Sequence, residues 1–219
     1  MPAERIVFGR DFFEIAPEST AVIAVDMQNA FVAEGGTYET PGARDMMGQF
    51  SGIIEFAREH DIPVIWTQSD HSAPHSGLIC KKFPIIRDDH VLWRDEPSFE
   101  LYPDMPQPIE GEHRVVKHKY DAFFETDLDA ILRNLDVDTV VIIGTATNVC
   151  CESTARSAFF RDYQVAFISD STASFDDSMH EATLKTIDMF FGRVLGTDEL
   201  LAEMEEHLAP AEAAVGAPA

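Results

Sequence analysis

The sequence predicts an α/β fold: a single-domain, three-layer αβα structure with a mostly parallel sheet of about six strands and helices on both faces. Continuous apolar runs such as TAVIAVD at 20–26 and DTVVIIG at 138–144 are typical of strands covered on both faces. Segments with helical periodicity separate such runs, as at 127–135, where leucine and isoleucine recur at i, i+3, i+4 and i+7. Strands that alternate with helices favour a parallel sheet between two helical layers.

The N-terminal half is predicted to contribute three strands and one helix. After the strand at 20–26, a glycine-containing loop leads to a helix at 44–60, whose buried side carries apolar residues at helical spacing. IPVIWTQ at 62–68 is the second strand and HRVVKHK at 113–119 is the third. The long stretch 69–112 is predicted to have no regular secondary structure. It is rich in Pro, Asp, His and aromatic residues, and we expect it to be ordered and to wall a pocket.

In the C-terminal half, strands and helices are predicted to alternate more regularly. The apolar run at 138–144 is the fourth strand, QVAFISD at 164–170 the fifth, and RVL at 193–195 a short sixth. The predicted helices are residues 127–135, 148–162, 178–191 and 197–208. The last of them, TDELLAEMEEHL, is acidic and amphipathic. We assign 1–208 to one domain and expect 209–219, an Ala- and Pro-rich tail with little to bury, to be flexible.

The composition limits the partners and the compartment. With 39 acidic and 16 basic residues the formal net charge is −23, which argues against nucleic acids and anionic membranes and leaves a small molecule as the expected partner. Every apolar run is shorter than the roughly 18 residues of a membrane helix, and no secretory signal is recognisable, so we expect a cytoplasmic protein. Three cysteines, two of them adjacent, make a poor disulfide framework, so free thiols are expected.

Three reactive side chains are predicted to meet at one edge of the sheet. Asp26 ends the first strand, Lys117 lies near the end of the third, and Cys150 follows the fourth after a short turn. Open α/β sheets bind ligands beyond the carboxyl ends of their strands. The sequence therefore predicts a site that contains these three residues.

Cys150 has the expected surroundings of a nucleophile. It is predicted to lie in the first turn of a helix, with Asn148 or Thr147 as N-cap, where unpaired N–H groups favour a thiolate and can hold an oxyanion. A nearby ammonium would lower the thiol pKa further. A carboxylate would take the thiol proton, give it to a leaving amine and then activate water. Such a triad suffices for acyl transfer to water through a thioester.

Each of these residues also has an ordinary structural interpretation. Cysteine after a strand is often a small buried hydrophobic residue, and Cys151 is expected to be one that packs within its helix. Asp26 would then cap a turn, and Lys117 would be a surface lysine at a strand end. Lys119, two residues on and on the same face of the strand, competes with Lys117 for the catalytic role.

Three motifs resemble the signatures of the isochorismatase-like cysteine hydrolases. They are DMQNAF from residue 26, VVKHKYDAFFETDLDAIL, and GTATNVCCESTARSAFFRDYQVAFISDSTA. The resemblance covers about 20–195 and implies a catalytic triad of Asp26, Lys117 and Cys150, not Lys119 or Cys151. It also implies a cis peptide between Thr145 and Ala146, which would turn the Ala146 N–H towards an oxyanion held together with Cys150.

Within this superfamily the chain most resembles the ureidoacrylate amidohydrolase branch. The shared features are DMQNAF followed by Gly-Gly, the K-x-x-Y-x-x-F-F turn, and TNVC-x-EST followed by Phe-Phe. The resemblance implies cofactor-independent cleavage of a C–N bond in a small amide, carbamoyl or ureido compound. Two positions depart from the family pattern: Asp121 stands where serine is usual, and Cys151 where valine is usual. Asp121 either selects a cationic substrate or faces water.

Metal binding is not expected. Nicotinamidases of this superfamily hold a divalent metal through an Asp-x-His pair after the second strand, but here Asp70 and His71 are adjacent and would point to opposite faces. Pro74 argues against a helix that would bring His71 and His75 together. His90, His118 and His180 are interpreted as solvated or core residues.

Substrate contacts are predicted from residues near the triad. The candidates are Asn29, Phe31, Trp66, Tyr120, Asp121 and Phe123. Two other functions compete with the amidohydrolase. One is an isochorismatase-type vinyl-ether hydrolase, which Cys150 argues against, because family members with that activity lack the cysteine. The other is a non-catalytic thiol sensor, suggested by the vicinal cysteines. The superfamily implies a homodimer or homotetramer, in which Phe159 and Phe160 face either a partner chain or the sheet.

Overall fold

A single six-stranded sheet organises the molecule. The computed structural model describes residues 12–72 and 76–209. The strands are β1 (Thr20–Val25), β2 (Val64–Ser69), β3 (His113–Lys117), β4 (Thr139–Thr145), β5 (Gln164–Ala173) and β6 (Arg193–Leu195). They are ordered β3-β2-β1-β4-β5-β6, and every neighbouring pair is parallel. The predicted fold class and all six predicted strands are confirmed.

In the part of the chain that the structure describes, seven α-helices lie between strands and an eighth follows the last strand. They are α1 (Asn29–Val32), α2 (Met47–Glu59), α3 (Leu78–Lys82), α4 (Ile85–Asp88), α5 (Leu128–Asn134), α6 (Glu152–Phe159), α7 (Asp177–Phe190) and α8 (Thr197–Leu208). The predicted helices correspond to α2, α5, α6, α7 and α8. Among the described residues of 69–112, where we predicted no regular structure, the short helices α3 and α4 form.

The start of the helix that carries Cys150 differs from the prediction. Residues Thr147–Cys151 form a π-helical turn, Ala146 occupies the N-cap position, and no side chain caps the turn. The prediction that Asn148 or Thr147 caps it is wrong, because both side chains are engaged elsewhere. Asn148 Oδ1 accepts a hydrogen bond from Ser174, and the Thr147 hydroxyl pairs with the His180 ring.

The strand pattern divides the core into two layers. Along β1, Val22 and Ala24 pack with α2 and α8 on one face, while Ile23 and Val25 pack with α5, α6 and α7 on the other. All six residues of β1 are buried, which explains why this strand is a continuous apolar run and not an alternating one. Burying each large side chain of these layers contributes about 1.5–3 kcal/mol.

The junction of β1 and β4 sets the geometry of the edge that carries the reactive residues. Val25 and Gly144 are register partners, and Gly144 has a φ of 112°. A Cβ at Gly144 would collide with the backbone of Val25, so glycine is required there. Asp26 follows β1 directly, and the turn with Cys150 follows β4, so both emerge side by side.

Two further predictions concern the C-terminal tail and membrane-spanning helices. Apart from Ala209, the predicted tail at 209–219 lies outside the described residues. Within the described ranges no helix is both long and apolar enough to cross a membrane.

Candidate active site

Asp26, Lys117 and Cys150 lie together at the carboxyl edge of the sheet. Lys117 Nζ is 2.6 Å from Asp26 Oδ2, and both side chains are completely buried. The Cys150 thiol lies near enough to both for Asp26 to raise its pKa and for Lys117 to lower it. Lys119 contributes its backbone carbonyl, which accepts from Lys117 Nζ at 3.1 Å. The edge therefore brings together a carboxylate, an ammonium and a thiol.

Two hydroxyls of β2 hold the Asp26 carboxylate in place. Thr67 Oγ1 donates to Asp26 Oδ1 at 2.6 Å, and Ser69 Oγ donates to Asp26 Oδ2 at 2.9 Å. Ser69 Oγ also accepts from Lys117 Nζ at 2.9 Å. Neither residue was predicted from the sequence. A signal for them existed, because β2 lies between β1 and β3 and ends at the same edge, with Ser69 in register with Lys117.

The Cys150 thiol is protonated in the resting site. Burial raises the pKa of Cys150 to about 12, and the neighbouring Lys117 ammonium offsets only part of this effect. The expectation that Lys117 lowers the thiol pKa is therefore confirmed in direction, but burial, which raises the pKa, has the larger effect. Burial alone would also lower the pKa of Lys117, but Asp26 raises it above its ordinary value, so the lysine stays charged. Cys150 needs a base, and Asp26 is within reach.

The backbone around the thiol follows the expected path. The peptide between Thr145 and Ala146 is cis, as the resemblance implied. Thr145 Oγ1 donates to the backbone carbonyl of Asp26 at 2.9 Å, which ties the end of β4 to the residue after β1. Ala146 and Cys150 both line the cavity described next. The backbone around Cys150 therefore borders the space in which a ligand would bind.

A cavity of about 100 Å³ opens above the thiol. Its wall consists mainly of aromatic and aliphatic side chains: Phe31, Tyr38, Ile79, Phe83, Ile86, Leu92, Tyr120, Ala146, Val149 and Phe175, together with Ser69, His71 and Cys150. Six of these residues come from the stretch 69–112, which confirms that this stretch walls a pocket. The contributions of Tyr38, His71, Phe175 and the short helices α3 and α4 were not predicted.

Two of the predicted substrate contacts, Phe31 and Tyr120, line the cavity. Trp66 does not. Its side chain is fully buried in the core beside Phe50, and its Nε1 donates to Glu112 at 2.7 Å. Asn29 does not line the cavity either, because its side-chain amide donates to the carbonyl of Pro97 at 2.9 Å.

Asp121 and Phe123 lie outside the cavity as well. Asp121 Oδ1 accepts from the backbone N–H of Phe123 at 2.8 Å, and Oδ2 accepts from Ser157 at 2.8 Å. The carboxylate therefore stabilises the turn after β3 and neither selects a cationic substrate nor simply faces water. Phe123 is buried and stacks on Tyr163, with ring centroids 5.9 Å apart.

The described histidines and cysteines form no metal site. Within residues 12–72 and 76–209 no group of three or more His, Cys, Asp or Glu is arranged to hold a metal ion, and His75 lies outside these ranges. Asp70 Oδ1 accepts from Ser72, and Asp70 Oδ2 pairs with Arg94 at 3.2 Å. The ring of His71 pairs with Ser76 at 2.8 Å.

Cys151 is a packing residue. It is fully buried among the apolar side chains that cover the sheet on the side of α6, as the sequence predicted. Burial raises the pKa of its thiol well above the ordinary value. The two adjacent cysteines therefore differ in their surroundings, because of the two only Cys150 lines the cavity.

Comparisons with known proteins agree with this geometry. An Isochorismatase domain profile matches residues 20–199. The chain is 30% identical to nicotinamidase 3 of Arabidopsis thaliana over 82% of this chain and 86% of that protein. It is 32% identical to ureidoacrylate amidohydrolase RutB of Caulobacter vibrioides over 84% of this chain and 90% of that protein.

A solved structure shares both fold and sequence with this chain. The cysteine hydrolase from Pseudomonas syringae pv. phaseolicola superimposes with a TM-score of 0.85 at 31% identity, over 89% of this chain and 96% of that one. The family profile spans most of the chain, and the relatives include amide-cleaving enzymes and a cysteine hydrolase. The chain therefore belongs to the isochorismatase family, among its isochorismatase-like cysteine hydrolases.

Proposed function

We propose that this protein is a cysteine-dependent amidohydrolase that cleaves the C–N bond of a small amide, carbamoyl or ureido compound through a thioester. One observation carries the proposal: a buried carboxylate–ammonium pair lies beside the thiol of Cys150, which lines a cavity. These are the groups that acyl transfer to water requires.

The first half of the reaction forms the thioester. Asp26 accepts the thiol proton as Cys150 Sγ attacks the substrate carbonyl, and the resulting oxyanion is stabilised by the backbone around Ala146 and Cys150. Asp26 then gives the proton to the nitrogen of the leaving amine, and the C–N bond breaks. Lys117 keeps a positive charge beside the carboxylate and the sulfur throughout, which stabilises the transient thiolate.

The second half regenerates the enzyme. A water enters the space left by the amine, and Asp26 takes one of its protons while the oxygen attacks the thioester carbonyl. The tetrahedral intermediate then expels the Cys150 sulfur, which recovers the proton from Asp26. A primary amide yields a carboxylic acid and ammonia. A carbamoyl compound yields carbamate, which decomposes to carbon dioxide and ammonia.

Two further expectations belong to this proposal. We place the reaction in the cytoplasm, because Cys80, Cys150 and Cys151 are free thiols, which a reducing compartment maintains. The expected partners are a small amide or ureido substrate and further copies of the chain. The acidic composition gives no reason to expect nucleic acid or a membrane.

A coupled ammonia-release assay tests the proposal. The panel contains ureidoacrylate, biuret, N-carbamoylsarcosine, streptothricin, nicotinamide and benzamide. We expect turnover that disappears in Cys150→Ala and survives in the matched control Cys151→Ala. Intact-mass spectrometry of the reacting enzyme should show an acyl adduct on the wild type that is absent from Cys150→Ala. Equal activity in wild type and Cys150→Ala would contradict the thioester mechanism.

A further inference from the structure

The cavity offers no counter-charge to a bound ligand. Within the described residues no Lys, Arg, Asp or Glu lines it. His71 is the basic side chain in its wall, and burial, followed by the charge of Lys117, lowers the pKa of His71 to about 4, so it is neutral at pH 7. Lys117 lies below the wall and is already paired with Asp26. A ligand group away from the reacting carbonyl therefore meets an uncharged surface.

Such a surface disfavours a carboxylate on the substrate. Moving an ionised group out of water without a partner costs several kcal/mol. The net charge of −23 adds a long-range repulsion of anions. Two cations lie near the mouth: Lys82 is exposed above the Phe83 ring, and Lys119 Nζ lies beside Gly77. Neither lines the cavity. They therefore affect how fast an anion approaches the cavity more than how tightly it is bound there.

The size and shape of the wall favour a flat, apolar group. Phe31, Tyr38, Phe83, Tyr120 and Phe175 surround a volume of about 100 Å³. An apolar cavity of about 150 Å³ in another protein holds benzene, so one ring or a short branched chain is the largest body expected here. The Tyr38 ring stacks on Phe31 at 6.1 Å and meets Phe83 edge-on at 5.9 Å, which fixes it in the wall.

One polar atom in this wall has no partner. The Tyr38 hydroxyl is buried and makes no hydrogen bond with the described residues. An unsatisfied buried donor costs about 1–3 kcal/mol, a cost that a ligand acceptor would remove. Burial raises the pKa of Tyr38 to about 12, so its hydroxyl keeps its proton and remains a donor at neutral pH.

We propose that the site selects an uncharged amide or ureido compound with a small apolar body, and that the Tyr38 hydroxyl donates a hydrogen bond to an acceptor atom on that body. This selectivity rests on the proposed function, in that Cys150 attacks the carbonyl at the cavity floor. It separates this chain from an enzyme built for a carboxylate-bearing ureido compound, because no described residue of the wall is a cation that could receive the carboxylate.

The charge preference is tested with a pair of similar shape, 4-acetylbenzamide and 4-carbamoylbenzoate. We expect kcat/KM to be at least about tenfold higher for the neutral compound, because the carboxylate finds no partner. Binding of both compounds to Cys150→Ala, followed by ligand-observed NMR, measures the same preference without turnover. Equal or tighter binding of the carboxylate would overturn the proposal and assign recognition to Lys82 and Lys119.

The role of Tyr38 is tested with benzamide and the three pyridinecarboxamides, which differ from it by one ring nitrogen. One pyridinecarboxamide isomer is expected to place its ring nitrogen next to the Tyr38 hydroxyl. For that isomer Tyr38→Phe should lower kcat/KM about 3- to 10-fold, which is the effect expected from losing one neutral hydrogen bond. Benzamide should react as well as before. Tyr102→Phe, a tyrosine outside the cavity, is the matched control and should change neither. A uniform loss on all four compounds, or no loss on any, would overturn the assignment of Tyr38.

The experiments can contradict the proposed function and the proposed selectivity separately. Turnover that does not depend on Cys150 contradicts the proposed function, whatever the substrate preference. Cys150-dependent turnover that favours carboxylates leaves the proposed function intact and overturns the selectivity. If no compound is turned over, the NMR affinities still decide whether the cavity prefers the neutral member of the pair.

Discussion

Lys117 Nζ lies 2.6 Å from Asp26 Oδ2, and neither side chain has any exposed surface. A buried pair of this kind costs desolvation of both ions, and their attraction offsets that cost only when the remaining hydrogen-bonding capacity is also satisfied. Here Thr67 and Ser69 donate hydrogen bonds to the carboxylate. The ammonium in turn donates to Ser69 Oγ and to the backbone carbonyl of Lys119. Each partner is therefore required by the other.

Lys117→Met should destabilise the fold and abolish activity. It leaves the Asp26 carboxylate buried without its cation, and breaking a buried pair in this way costs about 3–5 kcal/mol. Urea unfolding measures the loss of stability, and the ammonia assay measures the loss of turnover. Lys185→Met removes an exposed lysine of an i, i+4 pair and should change stability by less than about 0.5 kcal/mol. A similar small change in Lys117→Met would contradict the buried-pair interpretation.

Thr67→Val should slow turnover while the fold is kept. The substitution preserves the shape of the side chain but removes the hydroxyl that donates to Asp26 Oδ1 at 2.6 Å. A carboxylate that rotates out of line with the thiol is a poorer base, and we expect kcat to fall about tenfold, the value of one charge-assisted hydrogen bond. Thr67→Ser restores the hydroxyl and should recover most of kcat. Failure of that rescue would assign Thr67 to packing alone.

The stability of the protein should fall on the acid side because of His71. Burial lowers the pKa of His71 to about 4 from an ordinary value of 6.5. Above pH 6.5 the ring is neutral in both states. Between pH 6.5 and about 4 only the unfolded chain binds the proton, so unfolding becomes easier as the pH falls, by up to about 1.4 kcal/mol per pH unit.

His71→Gln removes this contribution. Its free energy of unfolding, measured by denaturant titration at several pH values, should fall less between pH 6.5 and 4 than that of the wild type. His90→Gln changes an exposed ring that stacks on Trp93 and should retain the wild-type slope. Parallel curves for wild type and His71→Gln would show that the ring titrates normally in the folded protein.

Self-association is predicted to involve an exposed aromatic cluster formed by Phe159, Phe160, Phe190 and Phe191. Phe160 is 71% exposed and Phe190 57% exposed, and the rings of Phe159 and Phe160 pack edge-on against Phe191. We expect light scattering to give the mass of a dimer or tetramer and Phe160→Asp to shift it towards the monomer. Ile109→Asp, at an exposed apolar position outside the cluster, is the control. An unchanged mass in Phe160→Asp would remove the cluster from the interface.

The parts of the site that sequence could predict are those fixed by strand ends. Asp26, Lys117 and Cys150 follow or end apolar strands, and parallel strands bring their carboxyl ends to one edge. For Trp66, the position in the strand did not predict whether the side chain lines the cavity. Both faces of a parallel strand are buried, so alternation cannot tell which of them meets a cavity, and Trp66 lies in the core.

Local structure outside the regular elements was harder to predict. Helices α3 and α4 are five and four residues long, too short for a periodic pattern, yet Ile79 and Ile86 in them line the cavity. The net pKa shift of the Cys150 thiol could not be predicted either, since a nearby lysine can be inferred from the sequence but the extent of burial cannot. Tyr38 was missed for a related reason, because it lies in a loop that carries no periodic signal.

Gly144 has a consequence for how this enzyme can vary. Its register partner Val25 leaves no space for even one methyl group, and Asp26, the proposed base, follows Val25, while the turn after β4 carries Cys150, the proposed nucleophile. Gly144→Ala would thus push the two central strands apart beside these two residues. The cavity wall can be remodelled by changing loops and short helices, whereas the distance between the Asp26 carboxylate and the Cys150 sulfur depends on the absence of a side chain at residue 144.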